Sequence, residues 1–466
     1  MMQSRRSASA VLLAVAAVVV ATGCATTLEQ SARREIETTP PGTPPTAYRE
    51  RDAPPSHPGT PASVAIDGSL DSYTRRALEQ SPALRAQYEE WRASTYEMKQ
   101  ARRLPEPTVS YSYFVRAVET RVGPQRHRIG ISQTFPWPTR LARAADAASL
   151  AAQSAQQRYE AAALELMSRV AAAYWQIWFV ERSREVQRDQ QKLVEQLSGS
   201  AQARLEVGQG SLADLSQINL MLSRIADALA GLDEAERQAR AELVALIGAE
   251  PGTEIPVADD APRLLRPAEP EAELRQAAQE HPRVRSMAYL AEAETQRGRA
   301  ARAERLPGFT IGADYIVTEE ARMDGVEDSG KDAVSVMLGM KVPIWGGVYG
   351  AEQDEAMARS AMFHAREDAA KDAAAAELDQ TLSRLNDSIR RTKLYRDTLV
   401  PQAEAVYGSV LGGYQASEST VSAMLNAQRD LLDLQLGLYR SQSEHALAWA
   451  RLEAIVGRPI RATEMQ

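Results

Sequence analysis

Each half of the chain holds two stretches in which apolar and polar residues alternate with a period of two. Val109, Tyr111, Tyr113 and Val115 alternate with Ser110, Ser112 and Phe114, and Ile129, Ile131, Gln133 and Phe135 with Gly130, Ser132 and Thr134. In the second half, Ile311, Ala313, Tyr315 and Val317 are followed by Val334, Val336, Leu338, Met340 and Val342. This pattern predicts strands at about 107–117, 126–136, 308–318 and 332–343, of the kind found in membrane β-barrels. The polar stretches between them, Glu119 to Gln125 and Glu319 to Asp332, predict loops. Four strands are too few to close a barrel, and an open sheet edge does not sit in hydrocarbon. Three copies would supply twelve. A soluble half-buried sheet would alternate in the same way, but the helices attached to it weigh against that reading.

Those helices are long. Thr139 to Ser198 contains neither Gly nor Pro, and roughly sixty residues at 1.5 Å each make a rod of about 90 Å. A second rod is predicted from Ala351 to Val400, after which Pro401, Gly408, Gly412 and Gly413 loosen the chain. Closely spaced alanines (Ala144, Ala145, Ala148, Ala151, Ala152, Ala155) let neighbouring helices approach as in coiled coils. The apolar patch Tyr174-Trp175-Gln176-Ile177-Trp178-Phe179-Val180 is too short to span a membrane and predicts an inter-helix core. A coiled-coil filament would share the composition; the strands and an export signal count against it.

The two halves repeat each other. Leu205-Glu-Val-Gly208-Gln-Gly-Ser211-Leu-Ala-Asp214 answers to Tyr414-Gln-Ala-Ser417-Glu-Ser-Thr420-Val-Ser-Ala423, and each turn lies equally far from a closing glycine, Gly248 or Gly457. Upstream, Ser81-Pro82 answers to His281-Pro282, Arg103-Leu104-Pro105 to Arg305-Leu306-Pro307, and Phe135-Pro136-Trp137 to Val342-Pro343-Ile344-Trp345. Each half therefore reads helix, β-hairpin, long helix, tip turn, helix, giving repeats at 69–262 and 263–466.

This order, with a tip pattern that occurs twice, resembles the TolC family of outer-membrane efflux channels from Ser69 to Ile460. The resemblance implies a mainly α fold with a membrane β-barrel part: a homotrimer with a twelve-stranded barrel and a periplasmic α-helical tunnel. It further implies a periplasmic adaptor protein docked on the tips at Gly208, Gly210, Ser211, Ser417 and Thr420, and an energy-supplying inner-membrane pump. Many relatives carry an acidic ring at the entrance. Asp214 keeps its place, whereas Ala423 and Asn426 stand where the second-half aspartates would be. The joint Gln133-Thr-Phe135-Pro136-Trp137-Pro138 is similar to that of the heavy-metal branch (CusC/CzcC-like), which works with resistance-nodulation-division (RND) pumps. Drugs, and a type I protein-secretion channel, remain alternative readings, as does a structural periplasmic lipoprotein without a pore.

The beginning of the chain alters where this fold would sit. Residues 1–23 place Arg5 and Arg6 before an apolar run and small residues, as in a secretory signal, and Ala21-Thr22-Gly23-Cys24 looks like a lipobox. Cys24 is the only cysteine, so no internal disulfide forms; diacylglycerol and an acyl chain on it would hold the protein to outer-membrane lipid. Residues 24–68 contain three Pro-Pro pairs and predict an extended tether.

Chemistry narrows the field by what is missing. The five histidines (His57, His127, His281, His364, His445) have no partner at metal-ligand spacing, and no phosphate-binding Gly loop, G-x-S-x-G or H-E-x-x-H occurs. A net charge of −8 argues against nucleic acid. Met337, Met340, Met362 and Met424 are expected as core or lipid-facing residues rather than a copper relay. The sequence predicts no enzyme, no cofactor and no metal site.

Overall fold

A computed structural model describes residues 27–49, 66–416 and 418–465. The signal 1–23, Cys24 and Ser417 lie outside the described residues. In chain order the elements are α1 (Thr27–Thr38), α2 (Thr46–Arg49), α3 (Leu70–Gln80), α4 (Pro82–Ala101), β1 (Thr108–Thr120), β2 (Gly123–Phe135), α5 (Pro138–Glu206) and α6 (Leu212–Leu246). They continue as β3 (Leu265–Pro267), α7 (Glu271–Gln279), α8 (Pro282–Ala303), β4 (Gly308–Thr318), β5 (Ala333–Lys341), α9 (Gly346–Leu394), α10 (Val400–Gln415), α11 (Val421–Val456) and β6 (Ala462–Glu464).

The chain divides into two compact units, and each repeat contributes to both. Of the described residues, one unit contains 27–40, 89–156 and 285–368; the other contains 41–49, 66–88, 157–284 and those after 368.

The first unit carries an antiparallel sheet ordered β1-β2-β4-β5. Its register stacks the alternating positions in rows: Val109 opposite Ile131, Ile131 opposite Ala313, and Ala313 opposite Val336. The stretch expected as a first polar loop is instead a tight turn, because β1 runs on to Thr120 and β2 begins at Gly123. Gly123 makes the turn feasible: its φ is 137°, and a Cβ there would lie 1.7 Å from the Glu319 carbonyl oxygen. The stretch after Glu319 remains a long connection, tied back by the Gly330 N–H to the Val122 carbonyl at 2.8 Å. Below the sheet, small side chains let helices meet backbone to side chain. Ser154 donates to the Ser286 carbonyl at 2.9 Å, and Ser360 to that of Ala291 at 3.0 Å.

Part of the expected tether is ordered differently. Thr27–Thr38 is proline-free and forms α1 rather than an extended strand. It buries Glu29, which meets Arg102 at 3.0 Å and Arg33 at 3.4 Å, while Ala32 packs on Met98 and Ala152.

The second unit holds the larger core. α5, whose residues up to 156 belong to the first unit, is 69 residues long, about 100 Å at 1.5 Å per residue, and Pro138 occupies its first turn, where no intrahelical N–H is needed. The aromatic patch is core, as its sequence predicts: Ile177 and Trp178 are buried, and edge-on ring contacts link Tyr174, Trp175, Trp178 and Tyr439. The second rod is interrupted before Pro401, by a π-helical turn at Tyr395–Leu399 that puts the Val400 N–H on the Tyr395 carbonyl. Proline cannot donate to the preceding turn and its ring crowds it; widening that turn relieves the clash. Both repeats end in left-handed glycines, Gly248 (φ 62°) and Gly457 (φ 74°).

Candidate functional site

The helical tips are built alike from different residues. After α5, Gly208 adopts φ 73° and its N–H bonds the Leu205 carbonyl at 3.0 Å, while Gln209 N–H reaches that of Arg204 at 2.8 Å. Gly210 allows the close return, since a Cβ would lie 2.7 Å from Leu205 N and 3.0 Å from the Arg204 carbonyl carbon. Ser211 then caps α6, its hydroxyl accepting from Ala213 N–H at 3.2 Å. In the second repeat the Gly413 carbonyl accepts from Glu418 N–H at 2.7 Å and Ser419 N–H at 3.1 Å. Thr420 caps α11 by accepting from Ala423 N–H at 3.2 Å.

One apolar cluster brings the tips together. Val194, Leu197, Ile218, Met221 and Ile225 of the first hairpin pack with Tyr414, Val421, Met424 and Leu425 of the second. The Arg204 guanidinium lies over the Tyr414 ring, 5.3 Å from its centroid. Gly208, Ser211 and Thr420 are exposed, and Gly210 and Asp214 half-buried. Ala423 and Asn426 stand on the exposed face of α11. One and two turns beyond Asn426 the same face carries Asp430 and Asp433, also exposed. Sequence reasoning stopped at the position of the acidic ring and missed this pair, although helical spacing from Asn426 would have found it.

The sheet is two-faced. Val109, Tyr111, Ile129, Ile131, Tyr315, Val334, Val336, Leu338 and Met340 form an apolar surface left open, with Val109 72 % and Leu338 77 % exposed. The opposite face is polar. Arg128 donates to Asp314 at 2.5 Å, Ser335 donates to the same carboxylate at 3.3 Å, and Thr134 and Thr310 hydroxyls meet at 3.0 Å. Gly130 leaves room for this group, because a Cβ would come within 2.3 Å of Asp314 Oδ1. β1 and β5 each pair on one side only, so the sheet has two open ladders.

Chemistry elsewhere is structural. His281 and His445 are buried, His127 bonds Tyr111 at 2.9 Å, and His364 sits 3.4 Å from Glu367. Among the described residues no group of His, Cys, Asp and Glu could hold a metal ion, and no helix is long and apolar enough to cross a membrane. Met424 is fully buried in the tip cluster, while Met337 and Met340 lie on opposite faces of β5.

A two-faced sheet with two open edges and capped helical hairpins in tandem are the elements of an outer-membrane efflux fold. The chain belongs to the outer membrane efflux protein family, whose model matches residues 74–249 and again 274–458. It is 24 % identical over 260 residues to outer membrane efflux protein BepC of Brucella suis biovar 1, covering 56 % of each chain. It is 26 % identical over 296 residues to protein CyaE of Bordetella pertussis, covering 62 % of each. The aligned region is thus less than two thirds of either relative. The fold is like that of the CusC crystal structure (TM-score 0.71, 15 % identity, 85 % of this chain and 94 % of that one). That family is one of outer-membrane efflux proteins, not of enzymes.

Proposed function

We propose that three copies of this chain form the outer-membrane exit duct of a tripartite export system, receiving cargo through a periplasmic adaptor from an inner-membrane pump. The observation that carries this reading is the sheet: a protomer with an exposed apolar face and two unpaired edges is stable in lipid only when neighbouring copies complete the ladder. The family match supports it. In this reading the duct is passive and draws its energy from its partners.

In the same reading residues 1–23 are removed, Cys24 carries the lipid, residues 24–68 lead to the body, and 69–262 and 263–466 are its two repeats. Gly208, Gly210, Ser211, Ser417 and Thr420 form the adaptor's contact rim, and Asp214, Ala423 and Asn426 line the entrance. Heavy-metal ions are the favoured cargo, through an RND-type pump. What supports that choice is the Phe135-Pro136-Trp137-Pro138 joint, whose Trp137 ring packs 6.1 Å from Phe309.

The test is to cross-link the protein in intact cells, identify the inner-membrane partner, and repeat with Ser417→Trp. Recovery of an adaptor and a resistance pump, lost in the variant, is the expected result. Recovery of an ABC exporter encoded beside a secreted protein would replace efflux with type I secretion. Full recovery with Ser417→Trp and Gly208→Trp combined would remove the tips from the contact.

A further inference from the structure

Two buried imidazoles hold the opening segment of the second repeat against the last helix. His445 on α11 is 1 % exposed; its Nε2 accepts the backbone N–H of Leu265, at the start of β3, at 2.9 Å. Its Nδ1 lies 3.4 Å from Ser388 Oγ on α9, and that hydroxyl itself donates to the Leu385 carbonyl at 2.7 Å. His281, in the joint between α7 and α8, accepts the Arg283 N–H on Nδ1 at 3.1 Å. Its Nε2 lies 3.1 Å from the Ala454 carbonyl on α11.

A ring nitrogen that accepts an N–H carries no proton, so both rings are neutral and of opposite tautomer. His445 bears its proton on Nδ1 and gives it to Ser388. His281 bears its own on Nε2 and gives it to Ala454. A second proton on either ring would set N–H against N–H. The surroundings are apolar, with Leu274 and Leu452 wholly buried beside Leu264 in one cluster.

The charged neighbours do not rescue the protonated forms. Around His281, Arg283 in its own joint and Arg451 on α11 oppose a positive ring, whereas Glu377 on α9 and the Ala454 carbonyl favour it. Glu165 on α5 is engaged with both arginines, at 3.2 Å to Arg283 and 2.7 Å to Arg451. Burial is the largest influence and pushes His281 down to about 4. His445 is likewise pushed down to about 4 by burial, with the Arg263 carbonyl acting the other way.

We propose that His281 and His445 form an acid-sensitive fastening, which holds residues 264–281 onto α11 while both rings are neutral and releases them when the rings take up protons. The unfolded chain protonates histidine first, near 6.5. The fastening is therefore at full strength above about pH 6.5, weakens as pH falls, and is spent near pH 4, where the folded rings charge. A duct open to the periplasm would meet such pH values directly whenever the cell's surroundings turn acid.

Two measurements on the full chain in detergent micelles decide the matter. Histidine C2-hydrogen exchange followed by mass spectrometry gives the titration of each ring in the unaltered protein; both are expected to titrate well below ordinary histidine. Amide exchange, corrected for its intrinsic pH dependence, should show residues 264–281 losing about tenfold or more protection between pH 7 and pH 4.5, while the strands at 108–135 change little. His281→Asn with His445→Gln keeps an oxygen acceptor at each site and cannot take up a proton, so this acid response should disappear. Rings that titrate at or above the ordinary value would overturn the proposal, and so would an undiminished acid response in the double variant. Should that variant fail to fold, the C2 exchange of the unaltered protein decides alone.

Discussion

At the level of single residues, the tips depend on where side chains are missing as much as on where they are present. Gly208 and Gly210 are close in sequence and differ in kind: the first needs a left-handed backbone with open space around it, the second a close backbone approach. Gly210→Ala should therefore destabilise the tip locally by about 1–3 kcal/mol through overpacking, read as faster amide exchange at 204–214 with global unfolding little changed. The entrance follows a separate logic. With Ala423 and Asn426 in place of acids, block of conductance by a trivalent complex cation should be weak, and Asn426→Asp should strengthen it, most visibly at low salt. Asp430 and Asp433 lie further along the same face of α11 and add a second possible source of the field. Tight block of the unmodified channel that is lost with Glu418→Gln or Asp430→Asn would show that the acidic ring exists at another level. The sequence could show which residues replace the aspartates. The acids one and two turns on belong to no tip pattern, and only helical spacing along α11 relates them to Asn426.

At the level of elements, legibility followed how many residues share one signal. The strands could be read because a two-faced sheet repeats the same demand at every second position, and four stretches gave it independently. The first hairpin turn could not, because one glycine with φ 137° decides it, and the polar residues around Gly123 are also what a loop would carry. α1 was hidden by the prolines that follow it: composition averaged over the whole tether masked twelve residues free of proline. The π turn before Pro401 is a local response to one missing donor, and only its neighbourhood was foreseeable. The aromatic patch, by contrast, announced itself as core. Its energetic weight is testable, since Trp178 is 1 % exposed and lies between the rings of Trp175 and Tyr439. Trp178→Ala should cost about 3–5 kcal/mol, measured as a lower midpoint of thermal or denaturant unfolding in detergent.

For the whole molecule, two attachments to the membrane are read from different parts of the chain, a lipid on Cys24 and the apolar face of the sheet. They separate experimentally. Cys24→Ala should abolish acyl labelling while the protein still inserts, because the strands hold it independently; loss of all outer-membrane localisation in that variant would make the lipid the only attachment. Assembly is the stronger demand. A lone protomer leaves the outer ladders of β1 and β5 unpaired in hydrocarbon, each exposed polar group costing several kcal/mol there. Native mass measurement of the detergent-extracted protein, without cross-linker, therefore tests the account most directly. Three chains per particle is the predicted result. A folded, stable single chain with its sheet intact would contradict it.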